Sequence, residues 1–280
     1  VLNLVVGNSS RAIGNELSGN PLVSKLTFTG STPVGKQLLK QCADTVKKVS
    51  MELGGNAPFI VFADADLDAA VQGALISKYR NAGQTCICIN RLLVQDTVYD
   101  EFTEKFTRAV SQMTVDNGLA ENVNMGPMVN AGAVNDVDAM VQDAIAKGAT
   151  LTTGGQRMEK GACFYQPTVL TNITKDMRVA QEEIFGPVAP IMKFSTEEEA
   201  IILANDTEYG LASYVYTQNI GRAWRMSESI DYGMVGVNEV AITSEVIPFG
   251  GVKESGLGRE GSQCGVDDYL ELKYICMGDL

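Results

Sequence analysis

The sequence contains no histidine. This absence excludes catalysis by a cysteine–histidine pair or by a serine–histidine–aspartate triad, and it excludes every metal site that depends on imidazole ligands. Any nucleophile in this chain must therefore be activated by a carboxylate, a lysine, a tyrosine or water. A cysteine suits this situation, because a few per cent of an ordinary thiol is already ionised near neutral pH.

Long apolar runs and an excess of basic charge are also lacking. No apolar run approaches the roughly 18 residues that a membrane-spanning helix needs, so we expect no membrane partner. The net charge is −12, from 34 acidic and 22 basic residues. This balance argues against nucleic acid as a partner, because nucleic acid requires a basic face. A small anionic substrate is compatible with it, because one local arginine outweighs a diffuse negative field.

The six cysteines are too dispersed for the disulfide framework of a small secreted protein. Zinc would need several of these distant cysteines without any imidazole, so we predict no metal site. We expect a reducing intracellular compartment, either the mitochondrial matrix or the cytoplasm. The chain starts inside an apolar run, Val1 to Val6, which we interpret as a buried strand of a protein whose upstream part is missing.

Strand-like and helical patterns alternate along the chain, which predicts an α/β protein with largely parallel sheets. Residues 23–29 alternate as a strand and run into the turn 30–35, which is followed by a helical pattern. A strand, a glycine-containing turn and a helix with proline in its first turn can present backbone amides to a phosphate. A plain strand–helix connection is the alternative. The last strand-like segment, Tyr269 to Met277, predicts pairing with another subunit, because it would be an unpaired apolar edge.

Cys86 is the candidate nucleophile. It lies between a helical run, residues 66–79, and a strand-like run, residues 91–95. A thiol on such a connection is expected to be presented rather than packed, and Gly83 permits close backbone approach. A buried structural cysteine is the alternative.

Glu52 is the candidate general base. It lies at the end of a second strand pattern, directly before Leu53, Gly54 and Gly55. The two glycines are expected to leave room for a ligand beside the carboxylate. A glutamate that caps a loop is the alternative.

Five motifs occur in the order and spacing of the aldehyde dehydrogenase superfamily, which the chain resembles over essentially all of its length. The motifs are Phe28-Thr29-Gly30-Ser31, Glu52-Leu53-Gly54-Gly55, Gly83-Gln84-Thr85-Cys86, Glu182-Glu183-Ile184-Phe185-Gly186-Pro187 and Pro248-Phe249-Gly250-Gly251. Within the superfamily, residues 78–88 and 256–277 look most like succinate-semialdehyde dehydrogenases. The resemblance implies an incomplete Rossmann-type cofactor domain (1–53), an α/β catalytic domain (54–252), and a C-terminal return to the cofactor domain with an oligomerisation strand (253–280).

The resemblance also implies a role for each matching residue. Cys86 would be the nucleophile, and Glu52 would activate the water that releases the acid. The cofactor would be NAD or NADP, bound by residues in both expected domains: Gly30, Ser31, Val34, Gly35, Leu53, Glu183 and Phe185. The reaction would be the oxidation of succinate semialdehyde, or a similar short aldehyde, through a cysteine thiohemiacetal and a thioester.

Two further residues are implied to select the substrate. Arg80 would hold the distal carboxylate of the aldehyde as a bidentate pair. Thr243 would assist it from the loop before Pro-Phe-Gly-Gly, at a position where these enzymes commonly carry serine. A structural salt bridge is the alternative role for Arg80.

Cys88 departs from aldehyde dehydrogenases at large, although related succinate-semialdehyde enzymes carry a cysteine there. We hypothesise that oxidation joins Cys86 to Cys88 as a redox switch that blocks catalysis reversibly. An inert packing cysteine is the alternative, because so short a loop demands a strained disulfide.

Two other functions stay open for the chain. It could be a catalytically incomplete fragment that only pairs with full-length subunits, which we expect to form a homodimer or homotetramer. It could also be a cysteine esterase that needs no nicotinamide. The dehydrogenase interpretation depends on one geometric expectation, that the Cys86 sulfur and the Glu52 carboxylate open into a single cavity.

Overall fold

The computed structural model describes residues 2–279, which contain nine α-helices and ten β-strands. The helices are α1 (Ser10–Gly19), α2 (Thr32–Cys42), α3 (Leu67–Tyr79), α4 (Asp96–Ser111), α5 (Ala131–Ala146), α6 (Arg178–Gln181), α7 (Glu197–Asn205), α8 (Ile220–Ser229) and α9 (Ser262–Asp267). The strands are β1 (Lys25–Thr29), β2 (Lys48–Glu52), β3 (Ala57–Val61), β4 (Ile89–Gln95), β5 (Thr150–Thr153), β6 (Thr168–Thr171), β7 (Val188–Phe194), β8 (Ala212–Tyr216), β9 (Met234–Val237) and β10 (Gly256–Leu257).

The chain divides into two compact units. Unit 1 consists of Val1–Leu53, Thr243–Gly250 and Gly256–Leu280, and unit 2 consists of Gly54–Ile242 and Gly251–Ser255. The functional roles expected for residues 1–53, 54–252 and 253–280 stay predictions.

Unit 1 contains a three-stranded sheet in the order β1-β2-β10. β1 and β2 are parallel, and the short β10 runs antiparallel to β2. Thr29 and Glu52 are paired at the carboxyl ends of β1 and β2, so the turn that begins at Gly30 and the Glu52 side chain belong to the same edge. The amide of Gly30 donates a hydrogen bond to the carbonyl oxygen of Glu52 at 3.0 Å. Ligands of open α/β sheets usually bind at such a carboxyl edge.

Unit 2 contains a seven-stranded sheet in the order β5-β6-β7-β4-β3-β8-β9. All its pairings are parallel except that of β5 with β6. Every residue of β3 is buried, as are six of the seven residues of β4. Central strands of a parallel sheet are covered on both faces, which is why their sequences read as continuous apolar runs rather than as alternating ones. The predicted α/β architecture with largely parallel sheets is confirmed.

The terminal segments do not form strands within the described chain, so the predicted buried strand at the start is wrong, whereas the C-terminal strand was expected to need another subunit. Residues 2–6 form no strand, and Leu2 and Val6 are 96% and 84% exposed; Val1 lies outside the described residues. Tyr269 to Met277 also form no strand, and Leu272 and Tyr274 are almost completely exposed. A strand needs a neighbour for its backbone N–H and C=O groups, and within residues 2–279 no strand pairs with either segment. Pairing of the last segment with another subunit stays a prediction.

Candidate active site

Three connections of unit 2 enter neighbouring parallel strands at the same edge of the sheet. Residues 54–56 precede β3, residues 84–88 precede β4, and residues 182–187 precede β7. Because β7, β4 and β3 are adjacent and parallel, their amino ends lie side by side. Motifs separated by about a hundred residues of sequence are brought together for this reason. This is the opposite edge from the carboxyl edge where ligands of open α/β sheets usually bind.

Glycines allow these three backbones to touch. A Cβ atom on Gly55 would collide with the carbonyl oxygen of Cys86, and one on Gly83 would collide with the carbonyl oxygen of Gly186. The amide of Gly55 donates a hydrogen bond to Oε1 of Glu183 at 3.1 Å. The sequence predicted ligand space beside the two glycines that follow Glu52. At Gly55 the backbone of Cys86 takes that space, so this glycine serves loop packing.

The backbone that leads to Cys86 is strained. Asn81, Ala82 and Gly83 all adopt left-handed conformations, with φ angles of 53°, 55° and 74°. Each non-glycine residue in this region costs about 1 kcal/mol or more. Such strain persists only where the surroundings fix the backbone, and it is concentrated at functional sites. Phe185, on the neighbouring connection, is also left-handed (φ 47°) and 44% exposed.

The two cysteines of the motif have different environments. Cys86 is half-buried, whereas Cys88 is buried, and neither is in a disulfide within the described residues. The Cys88 thiol donates to the carbonyl oxygens of Ile89 at 3.2 Å and Lys78 at 3.5 Å. Burial raises the pKa of Cys88, and the neighbouring ammonium group of Lys78 opposes this rise. Cys86 is therefore the presented thiol and Cys88 the packed one.

Lys78 is completely buried beside these cysteines. Its Nζ donates to the carbonyl oxygen of Ile89 at 2.8 Å. Burial lowers the pKa of Lys78, whereas Cys88 and the carboxylate of Glu183 raise it. A lysine without solvent access is unusual, and here its side chain is hydrogen-bonded to the first residue of β4, the strand that follows Cys86.

The environment of Glu183 disfavours the ionised form of its carboxyl group. Burial raises the pKa of its carboxyl to about 7, and this rise is opposed by the hydrogen bond from the Gly55 amide and then by the charge of Lys78. The side chain of Glu183 accepts the amide hydrogen bond of Gly55, and Glu183 lies in the same connection as Phe185.

Arg80 is exposed at the end of α3, where its backbone forms the C-cap. It forms no salt bridge with any residue between 2 and 279. The structural salt bridge considered from the sequence is therefore not formed within the described chain. Thr243, which belongs to unit 1, is also exposed.

Glu52 has the most unfavourable environment of the carboxylates in unit 1. It is 4% exposed at the end of β2, and its Oε2 has no hydrogen-bond partner. Burial raises its pKa to about 8, the negative charge of Glu260 adds to the rise, and Arg259 opposes it. A buried carboxyl with an unpaired oxygen resists ionisation because its charge has lost the stabilisation that water provides.

A cavity of about 380 Å³ lies in unit 1 between α1, β1 and α2. Its lining includes Arg11, Asn15, Phe28, Val34 and Leu38. Of the predicted cofactor residues of unit 1, Val34 lines this cavity, whereas Gly30 and Ser31 form the turn before α2. Gly35 and Leu53 instead pack against each other, since a Cβ atom on Gly35 would collide with the Leu53 side chain.

Ser31 is the N-cap residue of α2, but its side chain makes no capping hydrogen bond. A proline stands in the first helical turn and contributes no N–H group. The turn that the sequence predicted between a strand and a helix is therefore present. It joins β1 to the N-terminus of α2, beside the cavity.

Sequence reasoning missed three polar residues at the unit 2 site, namely Asn56, Lys78 and Asn90. All three are at most 3% exposed. A signal exists in the sequence for Asn90. It interrupts an apolar strand pattern, and a polar group at such a position must find buried partners.

Two features are absent from residues 2–279, a membrane-spanning helix and a cluster of metal-binding side chains. No helix there has the length and apolar character needed to cross a bilayer. The same residues hold no group of three or more cysteine, aspartate and glutamate side chains suited to a metal ion.

Residues 1–275 match the model of the aldehyde dehydrogenase family, and the chain belongs to this family. It is 60% identical over 274 residues to the 3-sulfolactaldehyde dehydrogenase of Pseudomonas putida, a match that covers 98% of this chain and 56% of that protein. It is 55% identical to the NADP(+) succinate-semialdehyde dehydrogenase of Escherichia coli strain K12, covering 99% of this chain and 58% of that protein.

Solved structures give the same result. The crystal structure of succinate-semialdehyde dehydrogenase from Burkholderia pseudomallei superimposes with a TM-score of 0.96 at 57% identity, covering 98% of this chain and 56% of that chain. The predicted resemblance and the predicted aldehyde dehydrogenase fold are confirmed. The chain spans slightly more than half the length of these relatives.

The environment of Glu52 predicts a pH-dependent stability. The folded-state pKa is about 8 and the ordinary value is 4.5, so between these values the folded protein binds more protons than the unfolded protein. The free energy of unfolding must then fall as the pH rises through this window. Glu52→Gln cannot ionise and should be more stable than the original chain at pH 9, by a few kcal/mol at about 1.4 kcal/mol per unit of displacement.

This prediction is checked by urea unfolding at pH 5, 7 and 9. The advantage of Glu52→Gln should shrink steadily towards pH 5. Glu104→Gln, which removes an exposed carboxylate on α4, controls for the change in net charge. A stability difference that is the same at all three pH values would contradict the assignment.

Proposed function

We propose that the protein oxidises an aldehyde to its carboxylic acid with NAD or NADP, and that the aldehyde is short and carries a distal anion, as succinate semialdehyde does. One observation carries the proposal. In a chain of the aldehyde dehydrogenase family, the half-buried Cys86 follows a strained backbone, its carbonyl oxygen lies against Gly55, and the amide of Gly55 donates to the Glu183 carboxylate.

Covalent chemistry is assigned to Cys86. Its thiolate adds to the aldehyde carbon and gives a thiohemiacetal, whose oxyanion needs backbone donors such as the Cys86 amide. A nicotinamide, when bound, would accept the hydride that leaves this carbon, and Cys86 would then hold the oxidised carbon as a thioester.

Glu52 is assigned to the release of the acid. Its carboxylate removes a proton from water, the resulting hydroxide attacks the thioester carbon, and the Cys86 thiolate leaves. A pKa of about 8 makes Glu52 a stronger base than an ordinary glutamate, because its ionised form is costly in a buried site. It follows that acid release should accelerate as the pH rises towards that value.

Groups in each unit fit a dinucleotide. In unit 1, the cavity beside Val34 has a volume within the range of about 300–1,000 Å³ typical of small-molecule sites, and the turn of Gly30 and Ser31 offers backbone amides at the start of α2. In unit 2, Glu183 offers a carboxylate to ribose hydroxyl groups, and the exposed ring of Phe185 offers an apolar surface. Both NAD and NADP are compatible with these groups.

Arg80 is assigned to the anionic end of the substrate. It is exposed near Cys86 in sequence and forms no salt bridge with residues 2–279. The relatives support an anion there, because their names specify aldehydes that carry a sulfonate or a carboxylate. Thr243 is assigned to assist with its hydroxyl group.

The main test measures two activities of Cys86. Formation of reduced cofactor with succinate semialdehyde is compared with hydrolysis of a nitrophenyl ester, both for this chain and for a version extended to the length of its relatives. We expect Cys86→Ala to abolish both activities. Glu52→Gln should retain a first rapid turnover and lose most of the steady-state rate, because only acid release needs the base.

Each alternative function predicts a different result. Ester hydrolysis without cofactor reduction in either version would identify a cysteine esterase. A chain that is inactive in both assays but co-assembles with the extended version would identify an assembly partner.

Arg80 generates a prediction about specificity. Arg80→Ala should raise KM for succinate semialdehyde about 10- to 100-fold, the loss expected for hydrogen bonds to a charged group worth about 1.5–3 kcal/mol. KM for butanal, which has no distal charge, should change little. Arg108→Ala, which removes an exposed arginine of α4, is the matched control. Equal losses for both aldehydes would refute the assignment.

The redox hypothesis for Cys88 generates a separate prediction. Peroxide would oxidise Cys86 to a sulfenic acid with loss of water, and the Cys88 thiol would then displace a second water to form the disulfide. This requires Cys88 to leave the carbonyl oxygens of Ile89 and Lys78. Dithiothreitol should restore activity after peroxide treatment, and it should fail to do so in Cys88→Ala. Equal recovery of both proteins would contradict the switch.

A further inference from the structure

One buried side chain holds the backbone on both sides of Glu183. Nδ2 of Asn90 donates to the carbonyl oxygen of Glu182 at 2.8 Å, and Oδ1 of Asn90 accepts from the amide of Ile184 at 3.1 Å. Residue 183 therefore lies between two hydrogen bonds to the same amide group. Asn90 itself is the second residue of β4 and is 3% exposed.

A second asparagine supports the first. The other N–H of the Asn90 amide donates to Oδ1 of Asn56 at 2.8 Å. Nδ2 of Asn56, a residue with no solvent exposure, is within hydrogen-bond distance of the carbonyl oxygens of Ala180 and Gln181, at 3.3 and 3.2 Å. The two side chains thus bind the backbone of the segment 180–184 at four points.

The carboxylate of Glu183 is fixed by the same connection. Gly55, which precedes Asn56, donates its amide to Oε1 of Glu183 at 3.1 Å. The side chain of Glu183 is therefore hydrogen-bonded to Gly55, and its backbone is held by Asn90 and Asn56. A shift of the segment 180–184 would strain or break the hydrogen bond between Gly55 and Glu183.

We propose that Asn90, supported by Asn56, is a positioning residue that sets the Glu183 carboxylate for hydrogen bonding to a ribose of the nicotinamide cofactor. This inference rests on the proposed function, in which Glu183 holds that ribose. Only an amide side chain fits the position. Aspartate would place an acceptor against the acceptors of Glu182 and Asn56, and leucine would leave three buried polar groups unpaired.

The chain contains a matched control for this arrangement. Asn205 makes the same pair of bonds around a different residue, Ile230: its Nδ2 donates to the carbonyl oxygen of Ser229 at 2.9 Å, and its Oδ1 accepts from the amide of Asp231 at 2.8 Å. Replacement of either asparagine by alanine removes one donor and one acceptor from a backbone segment. Only the Asn90 segment carries Glu183.

The experiment compares Asn90→Ala, Asn205→Ala and Glu183→Gln with the original protein, in the chain and in the version extended to the length of its relatives. Affinity for the reduced nicotinamide cofactor is measured by its fluorescence. Hydrogen exchange of residues 180–186 is measured without cofactor. Asn90→Ala should weaken cofactor binding about tenfold and accelerate exchange at Ile184. Asn205→Ala should do neither.

Coupling separates positioning from a general loss of stability. In a Glu183→Gln background, Asn90→Ala should cause little further loss of cofactor affinity, because the carboxylate that it positions is already gone. If Asn90→Ala does not fold, Asn90→Ser is used instead. Unchanged affinity, unchanged exchange at Ile184 or fully additive losses would overturn the inference while leaving the proposed function intact. Absence of cofactor binding by the original protein in both versions would overturn both.

Discussion

The contact of a glycine with a carbonyl oxygen determines the site of unit 2. The backbone at Gly55 lies so close to the carbonyl oxygen of Cys86 that no side chain fits between them. This contact exists because β3, β4 and β7 are parallel neighbours whose amino ends meet at one edge. The connections that carry Cys86 and Glu183 and the backbone before β3 therefore lie side by side at that edge. The strained conformations of Asn81 and Ala82 are tolerated because the surrounding contacts fix the backbone there.

Hydrogen bonds among buried polar groups fix the rest of the backbone at the unit 2 site. Asn56 and Asn90 bind each other and the segment before β7, and the buried Lys78 donates to the carbonyl oxygen of Ile89 at the start of β4. Such networks are costly when any member is unpaired and rigid when all are paired. The site of unit 2 is therefore held by directional bonds among buried groups, with the apolar strands providing the base on which these bonds form.

Much of this fold was accessible from the sequence, since alternation of apolar strands with amphipathic helices is set by local periodicity. The positions of Cys86 and Glu52 between or at the ends of elements followed from the same pattern, and the family motifs imply their roles, which stay predictions. Residues 2–6 and 269–277 have strand-like sequences but form no strand in the described chain. Their apolar pattern is compatible with a strand, but a strand forms only where a neighbouring strand accepts its hydrogen bonds. Asn90 was missed for a related reason: its meaning depends on Glu182 and Ile184, which lie almost a hundred residues away in sequence.

Glu52 in unit 1 and Glu183 in unit 2 both have a raised pKa. Burial raises the pKa of Glu52 to about 8 and that of Glu183 to about 7, so each is expensive to ionise where it stands. A positive charge opposes this cost at each site, Arg259 for Glu52 and Lys78 for Glu183, but the effect of burial is larger in both cases. For a purely structural role, glutamine would be the more stable choice at both positions above pH 7. Retention of an ionisable group at a site that penalises ionisation is the opposite of what stability favours, and it is the arrangement that a base near neutral pH or a receptor for hydroxyl groups requires.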